Sequence, residues 1–126
     1  MDREKFQQLV AQAVEALPEE FQEKLENIDV IVEDLPSLSQ LNQARLGKGF
    51  TLLGLYEGIP LIHRNSNYGM VAPDKITIFQ KTIEAKYKGR DELGIKAEIQ
   101  KVVRHEIAHH FGIGDTRLKE IEDNQD

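Results

Sequence analysis

The chain has 126 residues, of which 40% are hydrophobic and 30% are charged, and its formal net charge at pH 7 is −6. This composition is typical of a soluble globular protein, and the length suits a single domain spanning residues 1–126. The negative charge gives nucleic-acid binding no electrostatic support, and the absence of cysteine excludes disulfides, thiolate metal sites and a cysteine nucleophile. Because the charged N-terminus is not a secretory signal and no apolar run reaches the ~20 residues that span a bilayer, we expect a cytoplasmic protein without a membrane anchor.

The first 33 residues are predicted to form two helices and a strand. Apolar residues recur at helical spacing over residues 3–17, and Asp2 precedes them as the N-cap. Pro18 ends this helix and can begin a second one over residues 18–25. The β-branched run Ile28–Glu33 then predicts a strand.

The middle of the chain is predicted to contain short strands and one or two helices. Residues 50–56 and 75–79 are strand candidates, and residues 61–62 are a shorter one. Residues 38–46 are either a short helix or an irregular loop, whereas residues 80–88 predict a helix. Strands in the middle of the chain, with helices at both ends, indicate an α+β fold.

A long helix is predicted from an N-cap at Asp91 to about Phe111. Its apolar residues cover much of the circumference, and they include an i, i+4, i+8 stripe formed by Val103, Ile107 and Phe111. A helix of this kind is expected to be central in the fold, because each of its apolar sides needs a partner.

The end of this helix carries the motif H-E-x-x-H-x-x-G-x-x-D at residues 105–115. His105 and His109 are four residues apart, so both imidazoles project from one side of the helix and can bind one zinc ion. Glu106 lies beside them, where it can reach a zinc-bound water as a general base. Inward-facing polar groups need partners, which a metal and its water would supply. The motif therefore predicts a zinc-dependent metallopeptidase acting on a peptide or protein substrate.

Asp115 is the candidate for a third metal ligand. Gly112 and Gly114 break the helix soon after His109, and a turn there would bring Asp115 to the open side of the metal. A carboxylate ligand at that point would leave the fourth position for water. Asp115 could instead cap a short helix predicted over residues 116–122.

The remaining polar candidates have weaker support. His110 falls on a different side of the helix from the two ligands, so we predict a core histidine, or one that supports the ligands without binding the metal. An oxyanion in the transition state could be stabilised by His63, Arg64, Tyr68 or Tyr87. Packing or surface roles are the favoured interpretation for each of these four residues.

The sequence resembles the minimal zincin-like metallopeptidases of bacteria. The resemblance rests on H-E-I-A-H-H-F-G-I-G-D at residues 105–115 and extends to L-L-G-L-Y-E-G-I-P-L at 52–61 and K-I-T-I-F-Q at 75–80. It implies a compact α+β zincin core with a small mixed sheet, an active-site helix, and zinc held by His105, His109 and Asp115. It also implies that an edge strand, such as residues 76–79, pairs with an extended peptide above the metal.

Two other interpretations of the motif stay open. The chain could be a non-catalytic metal-binding or peptide-binding module with a vestigial zincin site, although a purely structural site has no need of Glu106. It could also be a metal-free protein in which the histidines pack with Glu106. Other divalent metals can occupy the same ligands as zinc, so the motif does not identify the native metal.

Overall fold

The structure, a computed structural model, describes residues 1–43, 52–58, 73–89 and 91–112. Within these ranges the chain forms five helices and three strands. In chain order they are α1 (Arg3–Glu15), α2 (Glu19–Leu25), β1 (Ile28–Glu33), α3 (Leu38–Gln43), β2 (Gly54–Glu57), β3 (Asp74–Phe79), α4 (Gln80–Lys86) and α5 (Glu92–Phe111). The α+β prediction is confirmed, and residues 38–43 form a helix rather than a loop. The strand predicted at residues 61–62 and the helix predicted at 116–122 lie outside the described residues.

The three strands form a mixed sheet in the order β1-β3-β2. β3 pairs with β1 in parallel, with Val30 opposite Ile76, and with β2 in antiparallel orientation, with Tyr56 opposite Ile76. The prediction that residues 76–79 form an edge strand is therefore wrong, since β3 is the central strand of the described sheet. The physical reason is burial on both faces, because neither Ile76 nor its neighbour Thr77 has any exposed surface.

α5 is the central helix of the described fold, as its apolar circumference predicts. It packs against α1, β2 and β3, and Ile99, Val103 and Ile107 are fully buried. A hydrogen bond of 3.0 Å from Gln100 Nε2 to the carbonyl oxygen of Ala13 also ties α5 to α1. The predicted apolar stripe ends before Phe111, the last residue of α5, which is 45% exposed and lies edge-to-face with the ring of Tyr56.

Both predicted N-caps are confirmed, and they fix where the helices begin. The Asp2 side chain accepts a hydrogen bond of 2.8 Å from the backbone N–H of Lys5, and Asp91 accepts one of 2.8 Å from that of Gly94. α5 ends at Gly112, whose φ of 70° lies in the left-handed region that favours glycine. Over the four described ranges, no helix combines the length and the apolar character needed to cross a membrane.

Candidate active site

β2 passes α5 at unusually short range, and this approach creates one side of the candidate site. A Cβ atom on Gly54 would lie 2.5 Å from Val102 Cγ1 of α5 and 3.2 Å from the carbonyl oxygen of Thr77. Only glycine allows the strand and the helix to come this close. As a result, the backbone of β2 lies within hydrogen-bonding distance of side chains on α5.

The two predicted histidine ligands lie one turn apart near the end of α5. The ring centroids of His105 and His109 are 6.5 Å apart and the rings are tilted by 53°. Zinc–nitrogen bonds are about 2.0–2.1 Å long, so two imidazoles that share one ion have centroids roughly 5–6 Å apart. The observed separation is slightly longer than this, with the side chain of His105 partly buried and that of His109 exposed. Two imidazoles one turn apart on one side of a helix are donors that zinc prefers, so the chemistry of the pair fits the predicted ion.

His105, Glu106 and His109 all line one cavity of about 370 Å³. Leu52 to Gly54 form the strand side of this cavity, and Tyr87 lies on the wall contributed by the end of α4. Farther along α5 the wall is charged, with Glu98 and Lys101. The cavity is large enough for part of a peptide, and it meets the helix where the motif residues lie.

Glu106 is held in place by the backbone of β2. Its Oε1 atom accepts a hydrogen bond of 2.9 Å from the backbone N–H of Tyr56. Burial raises the pKa of the Glu106 carboxyl above its usual range, and this effect outweighs the lowering by the Tyr56 hydrogen bond and by the charge of His109. A carboxylate with a raised pKa is a better proton acceptor near neutral pH, which is the property that a general base needs.

Tyr56 also contacts α5 and β3 through its side chain. Its ring stacks on the ring of His110, with centroids 3.8 Å apart and an angle of 13° between the planes. Its hydroxyl donates a hydrogen bond of 2.7 Å to Asp74 Oδ2 at the start of β3. In the sequence, Tyr56 stands out only as part of a strand and of the family resemblance. Its role could not be predicted, because any residue except proline can donate a backbone N–H.

The other predicted residues have varied outcomes. His110 is exposed and stacked on Tyr56, so the prediction of a core histidine is wrong, because the residue lies in the last turn of α5, beyond the fully buried Val103 on the same side. The alternative, a histidine that supports the ligands without binding the metal, stays a prediction. Tyr87 reaches the cavity. Outside the described residues lie Asp115, His63, Arg64 and Tyr68.

The described ranges do not contain a complete set of metal ligands. Within residues 1–43, 52–58, 73–89 and 91–112, no three His, Asp or Glu side chains are grouped so that they could hold a metal ion. The metal-ligand role of His105 and His109 therefore stays a prediction.

Comparisons with known proteins identify the family. The family profile described as zincin-like metallopeptidase matches residues 25–125. A solved structure of a conserved hypothetical protein from Thermus thermophilus is similar in fold and sequence, with a TM-score of 0.55 and 26% identity over 88% of this chain and 94% of that one. No curated protein matches the sequence. Since the profile match covers most of the chain and includes the whole candidate site, this chain belongs to the zincin-like metallopeptidase family.

Proposed function

We propose that the chain is a zinc-dependent peptidase in which His105, His109 and Asp115 hold the metal and Glu106 is the general base. The observation that carries this proposal is the placement of the Glu106 carboxylate. It lines the cavity beside both histidines, and a backbone N–H holds one of its oxygens. A site that only bound a metal for structural reasons would need no fixed carboxylate beside the ligands.

The metal and the residues of the chain have different roles in the proposed reaction. When bound, zinc polarises the scissile carbonyl and lowers the pKa of a water molecule. Glu106 would take a proton through Oε2 from the water whose oxygen bonds to the carbonyl carbon, because Oε1 already accepts the Tyr56 N–H. The same carboxyl would then give this proton to the peptide nitrogen as the C–N bond breaks and the amine leaves. The cavity beside α5 holds the peptide on either side of the bond that breaks.

Asp115 completes the proposed ligand set. The support for Asp115 is its place in the sequence, three residues after the left-handed Gly112 that caps α5. Asp115→Ala should weaken zinc binding by at least about 10-fold, because a loss of that size follows even when a residue that only hydrogen-bonds to a metal ligand is substituted. Asp123→Ala is the matched control, since it removes an aspartate eight residues later in the sequence that has no proposed role. Equal zinc affinity for the Asp115→Ala variant and the wild type would exclude Asp115 as a ligand.

The main experiment measures zinc content and peptide cleavage in the same preparations. His105→Ala should lose stoichiometric zinc, whereas Glu106→Gln should keep it and still lose at least about 100-fold in cleavage rate, the usual contribution of a general base. Glu92→Gln is the matched control, because it makes the same change about 21 Å away along α5. Stoichiometric zinc in a wild-type protein that cleaves no member of a peptide library would favour the non-catalytic metal-binding module instead.

A further inference from the structure

Two neighbouring sides of α5 have different partners. His105 and His109 form the side that would hold the metal, whereas Glu106 and His110 lie one turn apart on the adjacent side, about 100° around the helix. Both residues on this second side contact Tyr56, which bonds Glu106 through its backbone N–H and stacks its ring on His110. A single residue of β2 therefore contacts two successive turns of the active-site helix.

The position of Tyr56 is fixed from the sheet as well. Its backbone is opposite Ile76 in β3, and its hydroxyl donates to Asp74, two residues earlier on the same face of the sheet. The ring is thus held at its tip by Asp74 and across its face by His110. Because the ring cannot shift without losing one of these contacts, the backbone N–H of the same residue has a defined position relative to Glu106.

We propose that Tyr56 is a positioning residue for the general base, and that His110 supports it through the ring stack. The Tyr56–His110 stack holds β2 against α5, so that the Tyr56 N–H fixes Oε1 of Glu106 and aims Oε2 into the cavity. His110 acts through its flat ring rather than through its nitrogens. This role accounts for an exposed histidine that directly follows His109 in the sequence but does not belong to the ligand set. This proposal rests on the function proposed above.

Two substitutions of His110 separate positioning from imidazole chemistry. His110→Ala removes the stack and should lower kcat about 10- to 100-fold, the scale expected when a catalytic group moves by about 1 Å. Its KM should stay within about 2-fold and its zinc content should not change. His110→Phe keeps a flat ring over Tyr56 and should restore kcat to within about 3-fold of the wild type. A His110→Phe variant as slow as His110→Ala would contradict the proposal, because the nitrogens would then be required.

Hydrogen exchange of single backbone amides gives a readout that does not depend on activity. In His110→Ala the Tyr56 amide should exchange at least about 10-fold faster, while that of Ile78 in the central strand should be unchanged. His110→Phe should leave both amides as in the wild type. Faster exchange of both amides in His110→Ala would indicate a general loosening of the fold. Unchanged exchange of the Tyr56 amide would show that the stack does not hold β2. Either result would contradict the positioning role. Absence of peptidase activity in zinc-loaded wild type would instead contradict the proposed function.

Discussion

The close approach of β2 to α5 makes Gly54 a sensitive position for substitution. Gly54→Ala would place a methyl group 2.5 Å from Val102 Cγ1 and 3.2 Å from the Thr77 carbonyl oxygen. The first distance is too short for any pair of packed carbon atoms and the second is tight, so strand and helix must move apart. Overpacking of this kind typically costs about 1–3 kcal/mol of the free energy of unfolding.

A double-mutant cycle tests whether the contact with Val102 causes the loss of stability in Gly54→Ala. Val102→Ala alone removes two buried carbons and should cost about 1.5–2.5 kcal/mol. In the double variant the new methyl occupies the space that Val102 vacates, so the total loss should fall short of the sum by at least about 1 kcal/mol. Equilibrium unfolding in urea measures all three variants.

Gly58→Ala is the matched control for Gly54→Ala. A Cβ atom at Gly58 would have its nearest neighbour, Asp74 Oδ1, at 3.7 Å, which is ordinary contact. Its unfolding free energy should therefore stay within about 0.5 kcal/mol of the wild type, with any gain coming from the less flexible unfolded chain. Additive losses in the Gly54 and Val102 cycle, or an equal loss at Gly58, would refute the argument that the close contact sets the cost.

Substitutions at three other positions test further parts of the structure. Burial raises the folded-state pKa of Glu106, so the stability contributed by this group is full below the ordinary value of 4.5 and is lost as pH rises through the raised pKa. In metal-free protein, Glu106→Gln should therefore raise Tm at pH 7. At a pH of about 3.5, below both the folded-state and the unfolded-state pKa, it should leave Tm unchanged. A lower Tm of the variant at pH 7 would contradict the predicted direction of the change. Thr77 is fully buried and its Oγ1 has no hydrogen-bond partner among the described residues, so Thr77→Val should raise the unfolding free energy by about 1 kcal/mol. A loss would show that the hydroxyl is satisfied. Asp91→Ala should cost about 1 kcal/mol by removing the N-cap of α5, while Asp91→Asn should cost much less; equal losses would exclude capping as the reason.

Features that depend on neighbours along one helix could be predicted from the sequence. The spacing of His105, Glu106 and His109 was enough to place them together, because an α-helix has a fixed rotation per residue. The structure does bring all three to one cavity. The cap at Asp91 was predictable for a similar reason, since an aspartate just before a helix bonds the exposed N–H groups of its first turn.

Features that depend on contacts between distant segments were missed. The alternation in residues 75–79 predicted a strand but not its position in the sheet, because pairing on both sides involves β1 and β2, which are far away in the chain. The role of Tyr56 was hidden for the same reason, since its N–H meets Glu106 50 residues later. His110 was predicted to be a core histidine or one that supports the ligands, because the helix wheel alone cannot show that the residue is exposed in the last turn of α5 and stacked on Tyr56.

The rate of peptide cleavage by Glu106→Gln at the same zinc occupancy as the wild type tests the central claim most directly. A peptide cleaved by the wild type should be cleaved at least about 100-fold more slowly by this variant, because the amide cannot take a proton from water. The Tyr56 N–H can still bond the amide oxygen, so the site should otherwise keep its shape. Cleavage by Glu106→Gln at the wild-type rate, with equal zinc bound, would contradict the assignment of Glu106 as the general base.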